Sequence, residues 1–262
     1  MTAASALISG WLWPHLASVA LCAARLLPVV FLCPLLGGPM SPGVVRLGVV
    51  LSLALFVHLA GGVSAPAGLL GPLDALWPMA CELAFGTALG LIAAAPFDAA
   101  KTGGRIIDLV RGTSAEAALP QAGTRESASG ELLSNWLLAL AATGVGLPLT
   151  LRALLSTFLL WPPGGVRFGE HWATHAAAVV GGAMSAGLAI GAPVAACCLA
   201  ADGLVGLASR LGAGGALQEL SAPLRILGGG LVLWMGLGVI ATRLLEELAG
   251  VAGGLASMAV AP

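Results

Sequence analysis

Few residues in this sequence could do chemistry, and their spacing narrows the choice further. The segment from Glu170 to His175 is the nearest approach to a metal site. His171 and His175 stand four apart, so on a helix they share a face and offer two imidazoles to one ion. No further ligand accompanies them and they lie beside a loop, so they are read as interfacial polar residues and no metal is assigned. His15 and His58 are isolated and carry no assignment. Lys101, the single lysine, follows no glycine-rich run, which removes a phosphate-binding loop. Neither a GxSxG nucleophile elbow nor an HExxH pair occurs. Cys22, Cys33, Cys81, Cys197 and Cys198 lie in apolar runs without CxxC spacing and read as small hydrophobes. No catalytic residue and no cofactor is assigned, and the chain is read as a non-enzyme.

The charges within apolar runs say more. Arg25 and Glu82 each sit inside one. A charge at the middle of a bilayer costs about 2.5–3.5 kcal/mol, so such residues face protein or water, and often each other. An Arg25–Glu82 pair that locks two helices is therefore expected. A proton relay, the other reading, calls for several carboxylates or histidines in series, and the sequence offers one deep acid. Asp202, Gly206 and Arg210 are each four apart and share a face if helical. Pro223, just before Arg225, marks the start of the last helix.

The elements that must position these residues follow from composition. The chain has 262 residues, of which 58% are hydrophobic and 9% charged. Its mean hydropathy is +1.00. Soluble domains carry about 25% charged residues, so most of this chain is solvated by lipid or by other apolar protein. Disorder is excluded by the same numbers. A net charge of −1 provides no basic field to hold nucleic acid. No positive residue precedes Arg25, so insertion is expected to use the apolar segments themselves rather than a signal peptide.

A membrane-spanning helix needs about 20 mostly apolar residues. Six candidates appear, at about 16–36, 44–63, 75–97, 132–160, 173–201 and 226–245. The first is expected to be broken by Pro28 and Pro34. A more polar stretch, 202–225, precedes the sixth, and the tail after Leu248 is uninformative. The runs are continuous rather than alternating, and helices satisfy their own backbone groups in lipid, so the expected fold is all-α. Turn signals fall at 37–43, 66–72 and 161–165. The whole chain is read as one polytopic membrane domain. Nine of its charged residues lie between Asp98 and Glu131, in a polar insert. Arg46, Lys101, Arg105, Arg111, Arg125, Arg210 and Arg225 fall on one side of a six-span topology, which places that insert in the cytoplasm. The pairs Gly86 and Gly90, and Gly187 and Gly191, would let helix backbones approach closely.

Several stretches, in order, resemble one family. These are Arg25 and Pro28 with Pro34, Pro39 and Pro42, then Val45 and Arg46. Next come Glu82, Gly86 and Gly90, running to Pro96 and Phe97. Then come Gly104, Arg105, Ile106, Ile107 and Asp108, with Arg111 and Gly112, Pro120 and Gly123. Last are Ala192 and Pro193, Asp202, Gly206 and Arg210, then Pro223 and Arg225. The set resembles the T subunit of the type III secretion export apparatus, SctT, and its flagellar counterpart FliR. Arg111 and Gly112 after Ile107 and Asp108 look more like the virulence branch. The chain departs from the family's pattern at Leu119, where Asp is common, at 211–220, which is blander than usual, and at Arg225, where Lys is common.

The resemblance implies an all-α subunit whose roughly six helices form hairpins within a hetero-oligomeric export core. One copy would assemble with R and S subunits, and in turn with the U subunit and the needle-complex base. The complex would sit in the bacterial inner membrane and pass unfolded secreted proteins. The insert, 98–131, resembles the family's plug, with Gly104, Arg105, Ile106, Ile107, Asp108, Arg111, Gly112, Pro120 and Gly123 as its residues. Irregular backbone is tolerated at membrane depth where it lines a cavity, and Gly103, Gly104 and Gly112 would supply its bends. Asp202, Gly206, Arg210, Pro223 and Arg225 would make cytoplasmic-tip or subunit contacts. The assembly would also bring Arg25, Glu82 and the small-residue faces against partner subunits.

Overall fold

The computed structural model describes residues 3–38, 41–66, 72–113, 127–144, 146–166, 171–210 and 221–260. Among these residues there are seven helices and no strand. They are α1 (Ala3–Leu32), α2 (Gly43–Gly61), α3 (Pro72–Arg111), α4 (Ala128–Thr143), α5 (Gly146–Leu160), α6 (His171–Arg210) and α7 (Ser221–Val260). Five are long and apolar enough to cross a membrane, and α4 with α5 makes a sixth if the pair is one span. The chain is thus a polytopic helical membrane protein, as composition requires.

The helix limits differ from the sequence reading in four places, each for a local reason. α1 runs through Pro28 and stops at Leu32, before Pro34. A proline inside a helix removes one hydrogen bond and need not end it when packing holds the turns on either side. The predicted fourth helix is two, α4 ending at Thr143 and α5 beginning at Gly146. α6 continues through Asp202 to Arg210, because nothing in that stretch breaks a helix. α7 begins at Ser221, with Pro223 in its first turn, and continues past Glu247 to Val260. The tail is informative after all: Val251 and Leu255 are buried.

The largest difference concerns the polar insert. Residues 98–111 are not irregular; they are the last turns of α3, which is 40 residues long. At 1.5 Å per residue that is about 60 Å, twice the ~30 Å hydrocarbon core of a bilayer. Gly103 and Gly104 therefore make no bend. Gly112 does, with φ of +71°.

The helices pack as two compact units. The first comprises Met1–Ala94, Ala142–Val180 and Ala249–Pro262, and the second Ala95–Ala141 and Gly181–Leu248. In the first, α1 and α2 form a hairpin, with Leu21, Leu26, Val30, Val50, Phe85, Leu89 and Leu154 fully buried. In the second, Phe97, Ile107, Leu133 and Leu137 are fully buried. Much apolar surface stays uncovered: the spanning part of α7 is only 11% buried and that of α2 17%.

Candidate functional site

In the first unit Arg25 of α1 and Glu82 of α3 meet with neither side chain exposed. Arg25 Nε donates to Glu82 Oε2 at 2.6 Å, and Nη2 donates to Oε1 at 3.0 Å. Two parallel bonds of this kind use the planar fork that distinguishes arginine from lysine. Nη1 donates to the Thr157 carbonyl of α5 at 3.1 Å. Glu82 Oε1 also accepts from the Gly164 N–H at 2.7 Å. Gly164 has φ of +78°, a conformation that favours glycine and aims this N–H inward. The guanidinium lies 4.9 Å from the Phe85 ring centroid and 4.4 Å from that of Phe158, within cation–π range of both.

Close approach of α1 and α3 makes this possible. A Cβ on Gly86 would lie 2.2 Å from the Arg25 carbonyl oxygen, and one on Gly90 would lie 3.1 Å from that of Pro28. The pair four residues apart is thus the seat of α1. Arg25, Glu82 and this small-residue face meet their own chain, not partner subunits. Both carboxylate oxygens of Glu82 are engaged, so the acid holds three segments together.

In the second unit the end of α3 carries the family-like run. A Cβ on Gly104 would fall 2.2 Å from the Gly130 nitrogen at the start of α4. A Cβ on Gly103 would meet Ile190 of α6 at 2.8 Å, and Cβ atoms on Gly187 and Gly191 would meet Thr102 and Ile106 at the same distance. Gly103 and Gly104 thus bring backbones together where bends were expected, and Gly187 and Gly191 do what their spacing indicated. Ile106 packs on Gly191, Ile107 is fully buried, and Arg105 is exposed.

α3 ends in a Schellman motif. Thr113 N–H bonds to the Asp108 carbonyl at 3.1 Å and Gly112 N–H to that of Leu109 at 3.2 Å, with Gly112 in the left-handed position. The buried Asp108 carboxylate accepts from the Ser129 N–H at 2.9 Å and from its hydroxyl at 2.5 Å. Ser127 caps α4 by accepting the Gly130 N–H at 2.9 Å. Asp108 therefore places a negative charge at the positive end of α4. Lys101 and Glu131 add an ion pair at 3.4 Å. The chain leaves α3 and enters α4 at one clasped point.

A second latch joins α3 to α7. Arg111 Nη2 donates to the Ile226 carbonyl at 3.1 Å, and its side chain lies over Gly229 and Gly230. Arg225 at the start of α7 pairs with Asp202 of α6 at 3.3 Å. That contact has the distance of an ion pair without good hydrogen-bond alignment at Nε. Arg210 and Pro223 are exposed, and nothing lies within 4 Å of where a Cβ on Gly206 would be. Asp202 is thus joined to another helix rather than to Arg210 on its own face. Pro120 and Gly123 lie outside the described residues. Among the described residues no group of three or more His, Cys, Asp or Glu is placed to hold a metal ion.

Sequence reasoning missed Ser129, Thr157, Phe85, Phe158 and the Ile226 carbonyl, and it read His15 and His58 as isolated where their ring nitrogens lie 3.0 Å apart between α1 and α2. None of these left a direct trace; only the start of α4 beside Ser129 did, where Ser127 just before the apolar run is a helix-start residue.

Continuous apolar helices, a buried ion pair and glycine-seated packing define a helical membrane protein whose charged residues and glycines join its helices. The chain belongs to the family described as bacterial export proteins, family 1, whose model matches residues 16–251. This is the FliR/SctT type of export protein, a membrane component of protein export. No curated protein matches the chain.

Proposed function

We propose that this chain is the T-type subunit of a type III export apparatus, of the injectisome rather than the flagellar branch. It sits in the bacterial inner membrane. One copy assembles with R and S subunits, next to the U subunit and the needle-complex base. It takes no part in bond chemistry. It helps to form and gate the channel through which unfolded secreted proteins enter the export path. The plug is the segment that leaves α3 after Arg111 and returns at Ser127.

The observation that supports this most is the Asp108–Ser129 clasp. The clasp fixes the points at which the chain leaves α3 and enters α4, which suits a stem on which a channel plug is mounted. The Arg111–Ile226 latch adds a second fixed point at that stem. The exposed apolar faces of α2 and α7 suit contact with further helices or lipid.

The test is co-expression with the adjacent R and S subunits, followed by native mass spectrometry from mild detergent. A discrete complex with one copy of this chain, and cross-links from residues 114–126 into the channel, are expected. A stable lone protein that ignores those partners and conducts ions by itself in vesicles would overturn the reading in favour of a self-contained transporter.

A further inference from the structure

Within the second unit, α6 and α7 leave a groove beside the contact that Ile190 makes with α3. Its volume is about 540 Å³, inside the roughly 300–1,000 Å³ range of small-molecule sites. Ile190, Pro193 and Val194 wall it from α6, and Val232, Val239 and Ile240 from α7. Gly236 opens its middle, since nothing lies within 4 Å of where its Cβ would be. The lining is apolar until Arg243 and Glu247, which complete it at one end.

Three quantities identify the occupant. The first is length. Along α7 the apolar stretch of the groove runs from Val232 to the first charged lining residue, Arg243, about 16 Å at 1.5 Å per residue, half of the ~30 Å hydrocarbon core and so the depth of one leaflet. The second is width. Spread over the whole lining from Val232 to Glu247, about 22 Å, 540 Å³ gives a cross-section of about 24 Å², the width of a single polymethylene chain. The third is charge. Residues 226–242 carry none, and then Arg243, Glu246 and Glu247 arrive together. Arg243 and Glu247 are four apart, so they share a face with Cβ atoms about 5–6 Å from each other. One Arg243 nitrogen reaches Glu246 at 3.5 Å, and the guanidinium keeps further donors to offer.

We propose that this groove binds one acyl chain of a zwitterionic aminophospholipid of the phosphatidylethanolamine class. The lipid phosphate accepts hydrogen bonds from Arg243, and its ammonium donates to Glu247. An anionic headgroup meets Arg243 but sets its net charge against two carboxylates. A choline headgroup has no N–H to give Glu247. The groove thus selects by headgroup as well as by chain.

The test uses the full chain, purified in mild detergent and titrated with phosphatidylethanolamine, phosphatidylglycerol or phosphatidylcholine under native mass spectrometry. One phosphatidylethanolamine per chain is expected to survive collisional activation, at an apparent affinity about tenfold above the other two. Gly236→Leu, which fills the groove, is expected to remove that retained lipid. Glu247→Gln, on the exposed end, keeps the chain folded and is expected to abolish the headgroup preference while acyl retention persists. Equal retention of all three lipids with no response to Glu247→Gln would overturn the proposal. So would efficient cross-linking of a photoreactive residue at Val239 to a partner subunit instead of to lipid.

Discussion

The carboxylate of Asp108 holds both the backbone N–H and the hydroxyl of Ser129, 21 residues further along the chain. One acidic side chain thereby closes the base of the most charged segment of an apolar protein. It also caps the helix that follows, so closure and helix start depend on the same group.

Asp108→Ala removes a buried acceptor of two bonds, and hydrogen bonds to charged groups contribute about 1.5–3 kcal/mol. The Ser129 and Gly130 amides are expected to exchange at least about tenfold faster. If the segment after α3 plugs an export channel, as proposed, the same variant is expected to let small ions leak through the assembled complex at rest. Asp108→Asn, which keeps an acceptor oxygen, is expected to fall between. Unchanged exchange at Ser129 would show that the clasp does not hold the base.

Removing one member of a buried ion pair leaves the other uncompensated, a loss of about 3–5 kcal/mol. Arg25→Met and Glu82→Met are each expected to lower the thermal midpoint in detergent strongly. The double variant is expected to lose much less than their sum, because neither charge is then stranded. Arg25→Lys is expected to be poor as well, since a point charge cannot make the forked contact. Additive losses in the double variant would contradict this coupling.

The glycines divide into two kinds that the same substitution separates. Gly86→Ala and Gly104→Ala would each place a methyl 2.2 Å from a backbone atom of another helix. Both are expected to destabilise the chain severely. Gly206→Ala meets nothing and is expected to stabilise by about 0.5–1 kcal/mol through helix propensity. Denaturant titration of the three variants decides the matter. A neutral Gly86→Ala would mean that α1 and α3 do not approach as described.

Asp202 and Arg225 are about one-third exposed, and such pairs contribute about 0–1 kcal/mol. Asp202→Ala is expected to leave the thermal midpoint almost unchanged. If this end of α6 and α7 meets partner subunits, the same variant reduces the R and S subunits that co-purify, and Asp202→Arg with Arg225→Asp restores them in part. Co-purification that tracks the midpoint alone would confine the pair to a local role.

The family, the all-α class and the near-count of spans were legible because they rest on composition, on continuous apolar runs and on an ordered set of Arg, Glu, Gly and Pro positions. The Arg25–Glu82 pair was legible for a related reason: a charge in an apolar run needs a partner, and few were on offer. The tertiary structure decided what those residues join. Gly103 and Gly104 read as bends because glycine permits them, yet both lie in a helix and seat neighbouring backbones. Residues 98–111 read as an insert because they are polar, yet polarity alone does not end a helix. Ser129, Thr157 and Phe158 carry no signal, since a serine, a carbonyl or a phenyl ring becomes a partner only when another segment brings a charge beside it. Local chemistry is written residue by residue along the chain, but contact at a separation of 21 or 132 residues is made only when helices pack.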